Sequence, residues 1–130
     1  MISARGLSRE LVEEISNSKE EPEWMRRSRL EALDIFLRKP MPTWMDTNAL
    51  STINFDDIDY YARSTDKTAY PRQQESLSNK GVVFLGMDDG LKQYPDIVKE
   101  YFGTIVASAD NKFAALNADV WSGGVFIYVP

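Results

Sequence analysis

Two acidic clusters are the residues whose types and spacing most resemble a chemical site. They are Asp56, Asp57 and Asp59, and further on Asp88 with Asp89 ahead of Gly90. Carboxylates bind Ca²⁺ and Mg²⁺, but a calcium loop also needs ligands at alternating positions, a turn glycine and a distal Glu. The first cluster lacks that glycine and Glu, and the start of a helix explains the second. We interpret both clusters as helix caps or solvated surface.

The glycine pair Gly123-Gly124 and the three tryptophans are the other candidates for binding. Phosphate loops need more glycines at set spacing and a helix after the turn, whereas a strand pattern follows Gly124, so the pair is read as a tight turn. Trp24 lies on an apolar helical stripe and is expected in the core. Trp121 is a possible contact aromatic, and Trp44 is ambiguous between core and a partner surface.

The chain has no cysteine and no histidine. This excludes disulfides, thiolate or imidazole metal ligands, and Cys–His or Ser–His catalysis within the chain. The scattered Asp, Glu, Lys and Tyr residues form no pair of nucleophile and base. We predict that the chain is not an enzyme and holds no catalytic, cofactor-binding or metal-binding residue; a small hydrolase or metal enzyme is a minor alternative.

Charge and hydropathy narrow the class of protein further. The 130 residues carry a net charge of −5 without a basic block, which argues against nucleic acid as a partner. The chain has neither an apolar run long enough to span a bilayer nor a signal peptide at its start, so a cytoplasmic protein is expected.

The first half of the chain predicts a helical hairpin. Ser8 is placed to cap a helix that buries Leu11, Val12 and Ile15, and Pro22 is placed in the first turn of a second helix. An apolar stripe follows at helical spacing, and Pro40 and Pro42 end the helix. The stripe consists of Trp24, Met25, Leu30, Leu33, Phe36 and Leu37.

The second half predicts short strands and helices. A strand is expected over residues 82–85, a brief helix capped by Asp88 or Asp89, and another that begins at Pro95, buries Ile97, Val98, Tyr101 and Phe102, and stops at Gly103. A short strand over 104–106 and a helix capped by Asp110 follow. The fold class is α+β: a helical region over 1–63, a polar linker or loop over 64–80, and a mixed α/β segment over 81–130.

The chain ends on its most apolar run, which follows Gly124. A strand with an unpaired edge invites pairing with another chain, so self-association through this run is expected. The run consists of Val125, Phe126, Ile127, Tyr128 and Val129.

Two long motifs carry a family resemblance. EPEWMRRSRLEALDIFLRKPMPTW (residues 21–44) and DNKFAALNADVWSGGVFIYVP (110–130) closely resemble the N-terminal part of the SufB/SufD family of iron–sulfur cluster assembly scaffolds, the SufB branch more than SufD. FDDIDYY (55–61) and GVVFLGMDDGLKQYPDIVKEYFGTIV (81–106) follow in the family's order. The resemblance covers nearly the whole chain outside 64–80.

The resemblance implies a longer protein. In the family, an N-terminal helical region precedes a right-handed parallel β-helix, and a C-terminal helical region docks the ATPase SufC. SufB and SufD pair through their β-helices, where the cluster is assembled, and the groups that act on it lie in that core. The run after Gly124 would be the first strand of this β-helix. No catalytic or ligand residue is carried over to this chain.

Two departures from the family pattern are noted. The stretch between Tyr61 and Gly81 is shorter than the family usually has. The sequence also stops after Pro130, where the family continues, which suggests a fragment, a piece made for expression, or a split or degenerate copy.

We therefore expect the N-terminal segment of a SufB-like scaffold in iron–sulfur cluster assembly, structural or partner-binding rather than catalytic. SufC- and SufD-like proteins are the implied partners, and ATP hydrolysis belongs to the SufC partner. The alternative is a stand-alone interaction module that uses the helical hairpin and the C-terminal edge strand.

Overall fold

A computed structural model describes residues 5–61 and 77–130. Within these ranges lie six α-helices, one 3₁₀ helix and two strands. Most of the linker predicted over 64–80 lies outside the described residues. The elements are α1 (Arg9–Ser18), α2 (Glu23–Arg38), α3 (Thr47–Ser51), a 3₁₀ helix (Phe55–Asp57), β1 (Val83–Gly86), α4 (Met87–Gln93), α5 (Pro95–Tyr101), α6 (Lys112–Val120) and β2 (Val125–Tyr128).

The predicted helical hairpin is confirmed. The Ser8 hydroxyl oxygen accepts a hydrogen bond from the Leu11 amide at 3.2 Å, which satisfies one of the free N–H groups at the start of α1. Glu20 adopts a positive φ of 54° in the turn between α1 and α2. Pro22 lies one residue before α2 rather than within its first turn.

The buried face of α2 differs from the predicted stripe in two places. Met25, Leu33 and Phe36 are buried as expected, and Trp24 packs half-buried against the core. Leu37 is exposed, while the stripe includes a fully buried Arg29 instead. The helix ends at Arg38, ahead of Pro40, as predicted.

Helices α2 and α6 pack side by side in opposite directions, and each supplies a cation to the C-terminal end of the other. Arg29 of α2 donates to the main-chain oxygens of Asp119 and Trp121. Lys112 of α6 donates to the main-chain oxygens of Phe36 and Lys39. The last carbonyls of a helix have no partner within the helix and carry partial negative charge, so cations there stabilise both ends.

The helices after residue 80 follow the predicted order, but the residue before α4 differs from the predicted cap. Gly86, not Asp88 or Asp89, precedes α4, and both aspartates lie inside its first turn. Pro95 opens α5 and Gly103, with a φ of 72°, follows its end, as predicted.

Three further predictions for this half are wrong. Asn111 rather than Asp110 caps α6, because its side-chain oxygen accepts from the amides of Phe113 and Ala114. Residues 104–106 form turns instead of a strand, with Ile105 94% exposed. Tyr101 is exposed, whereas Val98 is buried and Ile97 and Phe102 are half-buried, as expected.

The two strands form an antiparallel sheet, with Val83 opposite Tyr128 and Gly86 opposite Val125. The expectation that the C-terminal run is bare is therefore wrong for one of its edges, because β1 pairs with it. Helix α4 lies against the sheet so closely that Phe126 occupies the space beside Gly90. The small core at this end is made by Met25, Leu91, Val98, Trp121 and Phe126.

The α+β class is confirmed by these elements, and the parallel β-helix stays a prediction. No helix in the described ranges is both long and apolar enough to cross a membrane.

Candidate functional site

One aspartate of each acidic cluster forms an ion pair. Asp57 forms an exposed ion pair with Arg5 at 3.0 Å, and Asp59 forms a backbone bridge with the same residue. Asp88 binds the ammonium of Lys19 at 2.8 Å. Within residues 5–61 and 77–130, no three acidic side chains are grouped as they would be around a metal ion.

The tryptophans divide into two kinds. Trp121 is buried in the core beside Phe102, and Trp24 packs against the same core. Trp44 is 72% exposed, next to the exposed Met45. Gly123 and Gly124 lie in the short connection from α6 to β2, where the Gly124 carbonyl accepts from the Met87 amide at 2.9 Å. The pair leads into β2 as predicted, but residues 121–124 form an irregular connection rather than a tight turn.

An apolar groove lies beside β2, and we call it the β2 groove. It has a volume of about 640 Å³. Residues of both faces of β2 line it, so it lies along the strand rather than on one face of the sheet. Its lining residues are Met87, Ile97, Val98, Glu100, Tyr101, Phe102, Val125, Phe126, Ile127 and Tyr128.

The chemistry of the β2 groove suits an apolar partner. Val125, Ile127 and Tyr128 are exposed, and Glu100 is the one charged residue in the lining. A hydrogen bond to Glu100 raises the pKa of the Tyr101 hydroxyl, which keeps that group in its neutral form. In the described part of the chain, β1 alone pairs with β2, so a further strand could add at the other edge.

A buried set of charges, which we call the clamp, fixes the end of α6 that leads into β2. Arg29 forms a two-pronged ion pair with Glu21, at 2.8 Å from Nε and 2.7 Å from Nη2. Its guanidinium lies 4.5 Å from the centre of the Trp121 ring. Because Arg29 also holds two carbonyls at the end of α6, the hairpin determines where β2 begins.

Lys19 completes the clamp from the end of α1. Its ammonium donates to both carboxylate oxygens of Asp88 and, at 2.7 Å, to the main-chain oxygen of Ser122. It also lies 5.3 Å from the centre of the Trp121 ring. One lysine thus connects α1, α4 and the residue that follows Trp121.

Asp119 is a buried acid beside the clamp. It is fully buried, and neither carboxylate oxygen has a hydrogen-bond partner among the described residues. Burial raises the pKa of its carboxyl to about 7, against the opposing effect of the Arg29 charge. Burial, and then the charge of Asp119, raises the pKa of Tyr60.

The clamp is not predicted by the sequence patterns described above, although part of the signal is present in them. Arg29 lies four residues from both Met25 and Leu33, on the buried face of α2, and Asp119 lies four residues from the buried Ala115. A charge on a buried stripe calls for a buried partner. The identity of that partner required the fold, because Arg29 and Trp121 are 92 positions apart.

The chain matches known proteins along nearly its full length. The family model described as the SufBD protein N-terminal region matches residues 45–130. The chain belongs to the SufBD family.

Individual relatives agree with this assignment. An iron–sulfur cluster assembly SufBD family protein of Mycobacterium bovis is 43% identical over 166 aligned positions, which cover 97% of this chain and 19% of that protein. A protein of the same description from Staphylococcus haemolyticus is 39% identical, over 98% of this chain and 36% of its own length. The chain therefore spans between about a fifth and a third of these relatives.

The alignments also show that the relatives carry residues absent from this chain. The 166 aligned positions exceed its 130 residues by at least 36. This agrees with an internal stretch shorter than the family's, and its assignment to the region between Tyr61 and Gly81 stays a prediction.

Proposed function

We propose that this chain is the N-terminal segment of a SufB-like scaffold in cytoplasmic iron–sulfur cluster assembly. It supports the assembly of partners and does no chemistry on the cluster itself. Membership of the SufBD family supports the process. The observation that supports the role is the β2 groove, an apolar surface along a strand whose start is held by the clamp.

The absence of a catalytic role is also a proposal, and it rests on residue types. Cluster chemistry commonly uses thiolate or imidazole groups, and this chain has no cysteine or histidine. In this proposal the cluster is cargo handled by other parts of the machinery, and the chain holds no cofactor of its own. The SufB branch is favoured over SufD by the motifs at residues 21–44 and 110–130.

SufC- and SufD-like proteins are the proposed partners, and a direct binding experiment tests them. The purified chain is mixed with each partner from the same organism and analysed by size-exclusion chromatography with light scattering. We expect co-elution with at least one partner and its loss in Ile127→Lys, because a buried charge in the β2 groove would remain unpaired.

The matched control is Ile105→Lys, which places the same charge on an isoleucine that is 94% exposed outside the groove. It should leave binding unchanged. Equal loss in both variants, or no binding of the unaltered chain to either partner, would count against the proposal.

The alternative is a stand-alone interaction module without a role in cluster assembly. Strand addition at the edge of β2 is the feature that favours it. Deleting the gene and assaying several iron–sulfur enzymes in cell extracts separates the two: unchanged activities support the module, and a general loss supports the scaffold.

A further inference from the structure

The carboxyl of Asp119 is a buried acid that the proposed function does not use. Asp119 is the next-to-last residue of α6. Residues 119–124, which run from the end of α6 to the start of β2, are called the joint. Three main-chain oxygens of the joint are held by the clamp: those of Asp119 and Trp121 by Arg29, and that of Ser122 by Lys19. Any change at the Asp119 side chain therefore acts on the segment that positions β2.

The clamp and Asp119 together carry no net charge only if the Asp119 carboxyl is protonated. Arg29 is balanced by Glu21 and Lys19 by Asp88. Four of the five N–H groups of Arg29 are already used, two by Glu21 and two by main-chain oxygens. A carboxylate at Asp119 would be a buried negative charge without a hydrogen bond.

The groups that face Asp119 would not compensate this negative charge. From α2 the guanidinium of Arg29 acts on it, with Glu21 beside that guanidinium. Tyr60 lies close enough to Asp119 for the charge of the carboxylate to affect its pKa. The Tyr60 hydroxyl already donates its hydrogen to the Phe55 carbonyl, so it does not donate to Asp119. From α1 the nearest cation of the clamp is Lys19, which is committed to Asp88 and Ser122.

We propose that Asp119 is a proton-binding site: the joint is closed around a neutral carboxylic acid, and loss of its proton to solvent loosens the joint and the β2 groove. A neutral acid is far less costly to bury than a carboxylate. After ionisation the carboxylate must gain water or a donor. Either water enters between α2 and α6, or the side chain turns outward and displaces the end of α6.

The direction of the pH dependence follows from the pKa, which burial raises from 3.8 to about 7. Between these values the folded chain holds a proton that the unfolded chain has lost. Stability from this group is therefore complete below about pH 4, decreases as the pH rises, and is gone above about pH 7. The unfolding equilibrium constant should rise about tenfold per pH unit across this window.

The test uses the whole 130-residue chain labelled with ¹³C and ¹⁵N. Aspartate carboxyl shifts are followed by NMR from acid to alkaline pH in wild type, in Asp119→Asn and in the exposed control Asp110→Asn. We expect one aspartate to titrate near neutrality in wild type and in the control, and its signal to be missing in Asp119→Asn. If every aspartate titrates at its ordinary acidic pH, the proposal is wrong. The wild-type titration decides this point even if Asp119→Asn does not fold.

A second readout tests the effect on the joint. The indole N–H of Trp121 is buried without an acceptor among the described residues, so its hydrogen exchange reports water entry there. We expect the ratio of the wild-type to the Asp119→Asn exchange rate to rise on passing neutral pH. A ratio that stays constant overturns the coupling between the proton and the joint. Neither readout depends on the proposed role in cluster assembly.

Discussion

Arg29 and Glu21 form an ion pair in which both side chains are almost completely removed from solvent. The cost of desolvating two charges is large, so such a pair adds little stability over an apolar pair of the same shape. Once the pair is built, however, neither partner can be lost cheaply, because the other remains as an uncompensated buried charge. Arg29 also satisfies two helix-end carbonyls, which raises the cost further.

Replacing Glu21 by Gln should therefore lower the free energy of unfolding by about 3 kcal/mol. The control is Glu13→Gln, which breaks the half-exposed pair with Arg26 and should cost less than about 1 kcal/mol. Urea denaturation at one pH measures both. Similar losses of unfolding free energy for the two variants would show that burial of the Arg29–Glu21 pair does not increase its contribution to stability.

Helix α4 and strand β2 meet where Gly90 faces the ring of Phe126. A Cβ added at Gly90 would lie 2.6 Å from the Phe126 Cβ, which is closer than two carbon atoms can approach. Movement of Phe126 is restricted, since Tyr94 stacks on its ring with ring centres 5.4 Å apart and Phe126 belongs to the core. The absence of a side chain at position 90 thus sets how closely the helix packs on the sheet.

Gly90→Ala should consequently destabilise the chain by about 1–3 kcal/mol through overpacking, despite the better helix propensity of alanine. Gly86→Ala is the matched control, because no atom lies within 4 Å of the added Cβ. Thermal unfolding compares the two. A stable Gly90→Ala variant would mean that α4 can move away from β2 without cost.

Among the described residues, buried contacts within the helices stand beside an exposed apolar surface at β2. The hairpin, α6 and the clamp bury their contacts, whereas the β2 groove exposes valine, isoleucine and tyrosine next to a strand edge. A net charge of −5 opposes association between copies, but the groove itself is nearly uncharged. Contact between two β2 edges would therefore meet little local repulsion.

Isolated chains should associate through β2 as the concentration rises, and Ile127→Lys should shift this association to higher concentration by at least tenfold, since it places a charge on the pairing edge. Sedimentation velocity over a concentration series measures the effect, with Ile105→Lys as the control. A point change is preferable to removing the strand, because Phe126 belongs to the core. Association that Ile105→Lys weakens equally would locate the contact elsewhere.

Local signals in the sequence predicted most elements, and contacts between distant residues account for some of the errors. Ser8, Pro95 and Gly103 act through their own backbone neighbours, and each was assigned correctly. Asp88 was expected to cap α4 but binds Lys19, which is 69 positions away. The β-prone residues 104–106 have nothing to pair with in the described fold, so propensity alone did not make them a strand.

The candidate site could be predicted only in part, because local patterns indicate some of its features and distant contacts determine the others. The apolar run after Gly124 indicated an interaction surface from composition alone. Its pairing with β1 and its attachment to Arg29 and Lys19 depend on contacts between distant residues, which no local pattern contains.

The clamp also has a consequence for synthesis on the ribosome. The last hydrogen-bond partner of Arg29 is the main-chain oxygen of Trp121, which is synthesised 92 residues later. At about 5–20 residues per second, translation takes on the order of ten seconds to add that stretch. During this time the first two helices carry Arg29 and Lys19 without their partners from residues 119–122. The amino-terminal half can therefore reach its final packing only after residues 119–122 have been made.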